Sequence, residues 1–378
     1  MSIILWSMSN SIHPTWLEID LSSIRNNIFQ LQNISGTSVM AVIKANAYGH
    51  GIVETARAAE KAGVKWLGVA RLDEAVLLRQ QGIKTDILIL GHTMPEGAKI
   101  AANLNICVTI HNIETYNLYN DQARQISTPL RAHLKIDSGM GRLGFFDQES
   151  IPFLQEICRH SKIRIEGIFT HLAKADEPAT GTTELQLLNF NQILENLEER
   201  NCHFQWVHAA NSAASIIFPK SRYNLIRPGI AIYGLNPSEE VPVPHEFQVA
   251  LSWKTTLTSV KNMPAGTGIS YGHKYFTRAT ERIGVISVGY GDGFRRVPDN
   301  EVLIRGKRVP VIGTVCMDQC MILLDEVEKA IPGDDVVLIG KQGDVEIRAE
   351  EVAGRWGTIA YEVTCGLAAR IPRIYINP

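Results

Sequence analysis

The stretch VMAVIKANAYGHGIVETARAAEKAGVKWLGVA (39–70) holds two apolar runs with an amphipathic segment between them. The first run, VMAVI, has no polar alternation, so it reads as a strand covered on both faces. Lys44 ends it, and a turn framed by Gly49 and Gly51 follows. VETARAAEKAG (53–63) has helical texture and ends on glycine, and WLGVA (66–70) reads as the next strand. A strand, a helix and a strand in that order form the unit of a parallel sheet. The pattern then repeats. Further strands are expected at ILIL (87–90), CVTI (107–110), LRAHLKID (130–137), IEGIFTH (165–171), QWVHAA (205–210) and LIRPGIAIYG (225–234). Helical stretches alternate with them. The longest, ELQLLNFNQILENLEER (184–200), is expected to bury Leu185, Leu188, Ile193, Leu194 and Leu197 on one face.

Eight such units suggest a (β/α)8 barrel, and an open doubly wound sheet is the alternative that counting leaves. SSIRNNIFQLQNI (22–34) is a helix ahead of the first strand, in the slot that normally follows the eighth. NPSEEVPVPHE (236–246) ends the alternation. After it come strand-like runs with frequent turn glycines, and only AEEVAGRWG (349–357) reads as a helix. The expected fold class is therefore α/β: a TIM-like barrel over 14–240, then a mainly β domain over 241–378. Residues 1–13 are expected to add a strand to the second domain.

The chain has 378 residues, 45% of them apolar and 20% charged, with a net charge of −2. That balance argues against nucleic acid or an anionic membrane as a partner. No run approaches the length of a membrane span. The N-terminus lacks the basic region of a signal peptide. Cys107, Cys158, Cys202, Cys316, Cys320 and Cys365 are scattered without a CxxC pair. They read as reduced thiols, and hence as a cytoplasmic protein.

Barrel active sites lie at the C-terminal ends of the strands, and the unusual residues of this chain fall there. Lys44 ends the first strand. Asp137 ends the fifth and precedes SGMGR with Arg142, and His171 ends the sixth. Asn211 and Ser212 end the seventh, and Arg227 lies in the eighth, ahead of Pro228 and Gly229. Two arginines, a histidine, Ser212 and the backbone N–H groups of Gly229 and Ile230 suit an anionic aromatic ligand. Lys44 adds an amine for carbonyl chemistry. Pyridoxal 5′-phosphate (PLP) satisfies all of these demands, because it needs phosphate donors, a partner for its ring nitrogen and a lysine for its aldehyde.

AVIKANAYGHG (41–51) also resembles the PLP-lysine signature of alanine racemases. LKIDSGMGRLG (134–144), GIFTHLAKAD (167–176), HAANSAA (208–214), RPGIAIYG (227–234), GISYGHKY (268–275), GYGDGFRR (289–296), GTVCMDQ (313–319) and IAYEVTCGLAARIPR (359–373) resemble further segments of that family, in order. The resemblance implies that Lys44 holds PLP. Tyr48, Ser212, Gly229, Ile230 and Tyr361 would bind its phosphate, with Asn211 beside them. Arg227 would face the pyridine nitrogen, supported by His171. Arg142 would sit near the phenolic oxygen and the substrate carboxylate. Lys135 matches a lysine that is carbamylated in some members. Tyr271 and Met317 would enter the site from the partner in a homodimer.

Racemisation removes a proton from one face of a carbon and returns it on the other, so two bases are expected. The resemblance names Lys44 and Tyr271. Phenols ordinarily titrate near 10, so a phenol base needs neighbouring cations. Arginine stays protonated. Opposite the ring nitrogen it would leave that atom unprotonated and the ring a weaker electron sink. The implied activity is interconversion of L- and D-alanine, supplying D-alanine for peptidoglycan. A racemase of broader or serine specificity, a related decarboxylase, a non-catalytic PLP-binding barrel and a PLP-independent lysine aldolase are the alternatives. GISYG speaks against the carrier, and the phosphate-binding set against the aldolase.

Overall fold

The computed structural model describes residues 13–125, 127–146 and 150–378. The chain divides into two compact units. One spans Ser22–Val249; the other takes Ala250–Pro378 with the described residues up to Leu21.

Strands are numbered in chain order. After β1 (Thr15–Asp20), the first unit contains β2 (Ser38–Val42), β3 (Trp66–Val69), β4 (Asp86–Ile89), β5 (Ile106–Ile110), β6 (Arg131–Lys135), β7 (Arg164–Phe169), β8 (Trp206–His208) and β9 (Leu225–Ile226). Neighbours from β2 to β8 pair in parallel, and β9 returns to pair with β2. The result is an eight-stranded parallel barrel, closed except for a ladder between β8 and β9. Strands β3 and β5 are buried along their whole length, as their unbroken apolar sequences require when helices cover the outside. Met40, Trp66, Leu88, Cys107 and Leu225 form one interior cluster.

Helices Ile52–Lys61 and Thr182–Glu198 fall where the periodicity puts them, Leu72–Gln80 and Ile151–His160 lie between later strands, and Leu21–Ser35 precedes the first barrel strand. Two details differ from the sequence reading. Thr182–Glu198 buries Leu187, Phe190, Ile193 and Leu197, whereas Leu185 and Leu188 are exposed. The 187, 190, 193/194, 197 spacing is the better 3.6-residue stripe, and the aromatic ring anchors it. The eighth strand is only two residues long. Pro228 has no N–H to extend a ladder, and the chain turns at Gly229 into a one-turn 3-10 helix, Ile230–Tyr233.

The second unit is built on a nine-stranded sheet. Its longest strand, β10 (Leu251–Met263), alternates buried and half-buried residues along its first half, as a half-covered strand should. β1 lies within the span that the sequence assigns to the barrel, yet it pairs antiparallel with β10 and parallel with Arg373–Ile376. The extra strand expected at 1–13 lies outside the described residues, apart from residue 13. Besides Ala349–Trp356, a second helix, Ala360–Cys365, is present where the sequence suggested none.

Candidate active site

Lys44 follows the end of β2 and opens an unusual turn. Ala45, Asn46, Ala47 and Tyr48 all have positive φ, between 52° and 54°, the left-handed conformation that L-residues avoid. The surroundings hold it. The Ala45 N–H donates to Glu74 at 2.6 Å, and Asn46 Oδ1 accepts from Ile52 N–H at 2.9 Å. His50 Nδ1 lies 3.0 Å from the carbonyls of both Ala47 and Tyr48, and the His50 ring stacks on Tyr233. The turn buries Tyr48 and directs its hydroxyl to the end of the eighth strand. A Cβ built on Gly229 would lie 2.3 Å from Tyr48 Oη, so only glycine fits there.

Ser212 and Gly229 come together at the same end of the barrel. Asn211 caps the helix Ser212–Ile217, its Oδ1 accepting from Ala214 N–H at 3.0 Å. Buried Ser212 Oγ accepts from Gly229 N–H at 2.9 Å and from Ala231 N–H at 3.3 Å, which leaves its own hydrogen to donate. Tyr48, Ser212 and the start of the Ile230 helix thus form a neutral donor set, with Gly229 as its cradle. Its chemistry fits a phosphate group.

Arg227 is buried and held from several sides. Its Nη2 donates to the carbonyls of Thr170 (2.7 Å) and Ala209 (3.0 Å) and meets His171 Nδ1 at 3.3 Å. Its Nη1 meets His208 Nδ1 at 3.0 Å. The guanidinium also lies over the Phe169 ring, which the Lys135 amine approaches too. Burial lowers the Arg227 pKa to about 9, so it remains a cation at neutral pH. These partners leave the Nε–H and one Nη1 hydrogen for a ligand acceptor.

Arg142 is carried by a loop that Asp137 organises. Asp137 Oδ1 accepts the N–H groups of Gly139, Met140 and Gly141, and Oδ2 accepts that of Arg142 at 2.7 Å. Burial would raise the Asp137 pKa, but these four N–H groups outweigh it and hold the carboxyl below its ordinary range. Lys135 is buried. Burial first, then the charges of Arg142 and Arg227, lower its amine to about 8. His171 is pushed well below its ordinary value by burial and by Arg227, Arg142, Lys135 and Lys44. Arg227, Arg142, Lys135 and Lys44 therefore act together here, and the Asp137 carboxylate is spent on backbone. The barrel end attracts anions.

Tyr271, Met317 and Tyr361 belong to the second unit. Tyr271 and Met317 are 70% and 54% exposed, respectively. Ser270 precedes Tyr271 with φ 64°, its Oγ donates to the Thr314 carbonyl, and Thr314 Oγ1 donates to the carbonyl of Tyr271. A cavity of about 430 Å³ is lined by Ser270, Tyr271, Gly272, His273, Cys316 and Met321. Tyr361 is half-buried in the helix Ala360–Cys365. The sequence reading missed His208 and Phe169, which grip Arg227. Their signal was an aromatic residue and a histidine near the ends of adjacent barrel strands.

Family models for the N-terminal domain of alanine racemase and for its C-terminal domain match residues 19–237 and 250–375, respectively. The chain is 43% identical to an alanine racemase of Symbiobacterium thermophilum, over 97% of this chain and 98% of the relative. It is 39% identical to the solved alanine racemase of Clostridium difficile, with a TM-score of 0.91 and 96% of each chain covered. A structure of the Bacillus anthracis alanine racemase with bound L-Ala-P matches with a TM-score of 0.91 and 39% identity, over 97% of this chain and 95% of that one. By both sequence and fold, across both of its units, the chain belongs to the alanine racemase family.

Proposed function

We propose that this chain is a PLP-dependent alanine racemase that interconverts L- and D-alanine and supplies D-alanine for peptidoglycan. The observation that carries the reading is the pairing of Tyr48 Oη, Ser212 Oγ and Gly229 beside a buried Arg227, one residue past a strand from the lysine-bearing turn. PLP, when bound, supplies an aldehyde that condenses with a primary amine and a ring that acidifies the adjacent C–H. The chain's residues would do the rest. Tyr48, Ser212, Gly229, Ile230 and Tyr361 would hold the phosphate, with Asn211 fixing the helix that presents Ser212. Arg227 would donate to the ring nitrogen and keep it unprotonated, with His171 buttressing the guanidinium. Arg142 would fix the substrate carboxylate, and so decide which face of Cα meets which base.

Lys44 Nζ would take or return the Cα proton on one face, and Tyr271 Oη on the other. Tyr271 and Met317 are exposed on their own unit, which supports their delivery to the site of a second copy, so the working form is a homodimer. The barrel and the mainly β domain, dividing near residue 240, would then serve as cofactor-binding and base-donating parts. The scattered thiols suit the cytoplasm. No described helix is long and apolar enough to cross a membrane.

Purified enzyme loaded with PLP should be yellow, and borohydride should fix the cofactor on the Lys44 peptide. Tyr271→Phe should keep the colour and lose about 10²–10⁴ in kcat for L- to D-alanine. A colourless protein, or a Tyr271→Phe variant with the native rate, would overturn the reading. Rates with L-serine, L-lysine and L-arginine in the same assay measure its strictness for alanine.

A further inference from the structure

A line of buried imidazoles leads from Arg227 into the barrel interior. His208 Nδ1 lies 3.0 Å from Arg227 Nη1, and His208 Nε2 lies 2.9 Å from His133 Nδ1. Both rings are fully buried. His208 stacks on Phe169 with the ring planes 3° apart. His133 meets the Trp66 ring edge-on. Its other side lies against Gly167, where a Cβ would come within 2.7 Å of the imidazole. Neither ring has room to turn.

The direction of this line follows from hydrogen counting. A guanidinium only donates, and a neutral imidazole has one donor and one acceptor nitrogen. Arg227 therefore makes His208 Nδ1 an acceptor and puts the His208 hydrogen on Nε2. That hydrogen points at His133 Nδ1, which must accept, so His133 carries its hydrogen on Nε2. Burial and the charges of Arg131 and Arg227 lower His133 to about 3, and burial with Arg227 lowers His208 well below its ordinary value. Both rings are therefore neutral at working pH.

The far end of the line bears on a second reading. Cys107, His133 and Glu166 bring three metal-ligand atom types within 4.8 Å of one another. A metal would need the lone pair of His133 Nε2, which the hydrogen count assigns to an N–H. Glu166 is already engaged by Arg131 at 2.7 Å and by Arg164 at 2.9 Å. The cluster is thus where the line ends rather than a cation site, and His133 Nε2 meets no hydrogen-bond partner there among the described residues.

We propose that His133 is a positioning residue for Arg227: by accepting from His208 Nε2 it holds in place the imidazole whose Nδ1 accepts from the guanidinium. Without that acceptor, the His208 Nε2–H would be buried without a partner, and the ring would gain by shifting towards another acceptor and away from the guanidinium. Arg227 would then lose its fixed orientation. The inference rests on the proposed function for its effect on rate, but not for its geometry.

The direct test is the tautomeric state of the PLP-loaded enzyme, labelled with ¹⁵N-histidine and followed by long-range ¹⁵N–¹H NMR near neutral pH. His208 and His133 should each show a protonated Nε2 and an unprotonated Nδ1. A His133 bearing its hydrogen on Nδ1, or a His133 cation, overturns the proposal whether or not the protein racemises alanine. A variant pair supplies the kinetic arm. His133→Leu should lower kcat by about 10–100-fold with KM for alanine within about twofold. His133→Asn, whose amide oxygen can accept from His208, should recover most of the rate. Native kcat in His133→Leu, or an equal loss in both variants, overturns the positioning role. Should His133→Leu fail to fold, the tautomer measurement decides.

Discussion

Lys135 is an amine whose chemistry departs from its type. An amine lowered to about 8 has a sizeable neutral fraction at physiological pH, and a neutral amine can add carbon dioxide. The enzyme equilibrated with ¹³C-bicarbonate should therefore show a carbamate carbon resonance that is lost in Lys135→Ala; no resonance in the wild type would remove carbamylation from the account. For the unmodified amine the pH sign is definite. Its folded pKa lies below the unfolded value of 10.5, so the cost of burying the ammonium is fully present below about 8. That cost fades as pH rises to about 10.5. Lys44 and Arg227 could be read from the sequence because a cation at the end of an apolar strand is conspicuous. His133 and His208 could not. An imidazole in a strand is ordinarily a satisfied core residue, and the partner that gives His133 a direction lies 75 residues away.

At the scale of elements, the loop from Ser138 to Gly144 shows how one carboxylate can shape a segment. Asp137 gathers four N–H groups that would otherwise lack acceptors. Asp137→Asn offers an NH₂ where one oxygen was, and so leaves at least one of them facing a donor. A loss of about 1–3 kcal/mol in stability is expected. Because the loop carries Arg142, KM for alanine should rise more than kcat falls. Urea melts and steady-state kinetics would check both, and an unchanged KM would separate the loop from substrate binding. The stabilisation from Asp137 is present above its unfolded pKa and is lost as pH falls through the lower folded value. The barrel strands were legible from their unbroken apolar runs. The eighth strand was read too long, because a proline and a glycine inside an apolar run still look like strand until pairing is known. The helix Ala360–Cys365 was missed because six residues are too few for a periodicity to register.

For the molecule as a whole, acid is the stress that the buried histidines select. His133, His171 and His208 all have folded pKa values below the ordinary 6.5. Unfolding below that pH takes up protons that the native state refuses, so stability is lost as pH falls from 6.5 towards about 3. With three such groups the slope approaches about 4 kcal/mol per pH unit. Urea unfolding between pH 7 and 5 would measure it. His133→Asn should be shallower by about 1.4 kcal/mol per pH unit, the share of one proton. An identical slope in both proteins would mean that His133 is not held neutral. The two-unit organisation was legible from the change of texture after the Pro- and Glu-rich linker. The membership of β1 was not, because a six-residue strand carries no mark of which sheet it will join.

The left-handed run from Ala45 to Tyr48 has a consequence for the handedness of the chain itself. Its backbone is the mirror image of an ordinary helical turn, at about 1–2 kcal/mol for each L-residue that adopts it. Ala45 is exposed, so little besides its own Cα configuration sets that cost there. A residue of opposite configuration at position 45 would be relaxed where the encoded one is strained. Translation admits only the L-form, and the bonds from Glu74, Asn46 and His50 hold the turn instead. The amino acid best suited to that position is D-alanine, the product of the proposed reaction.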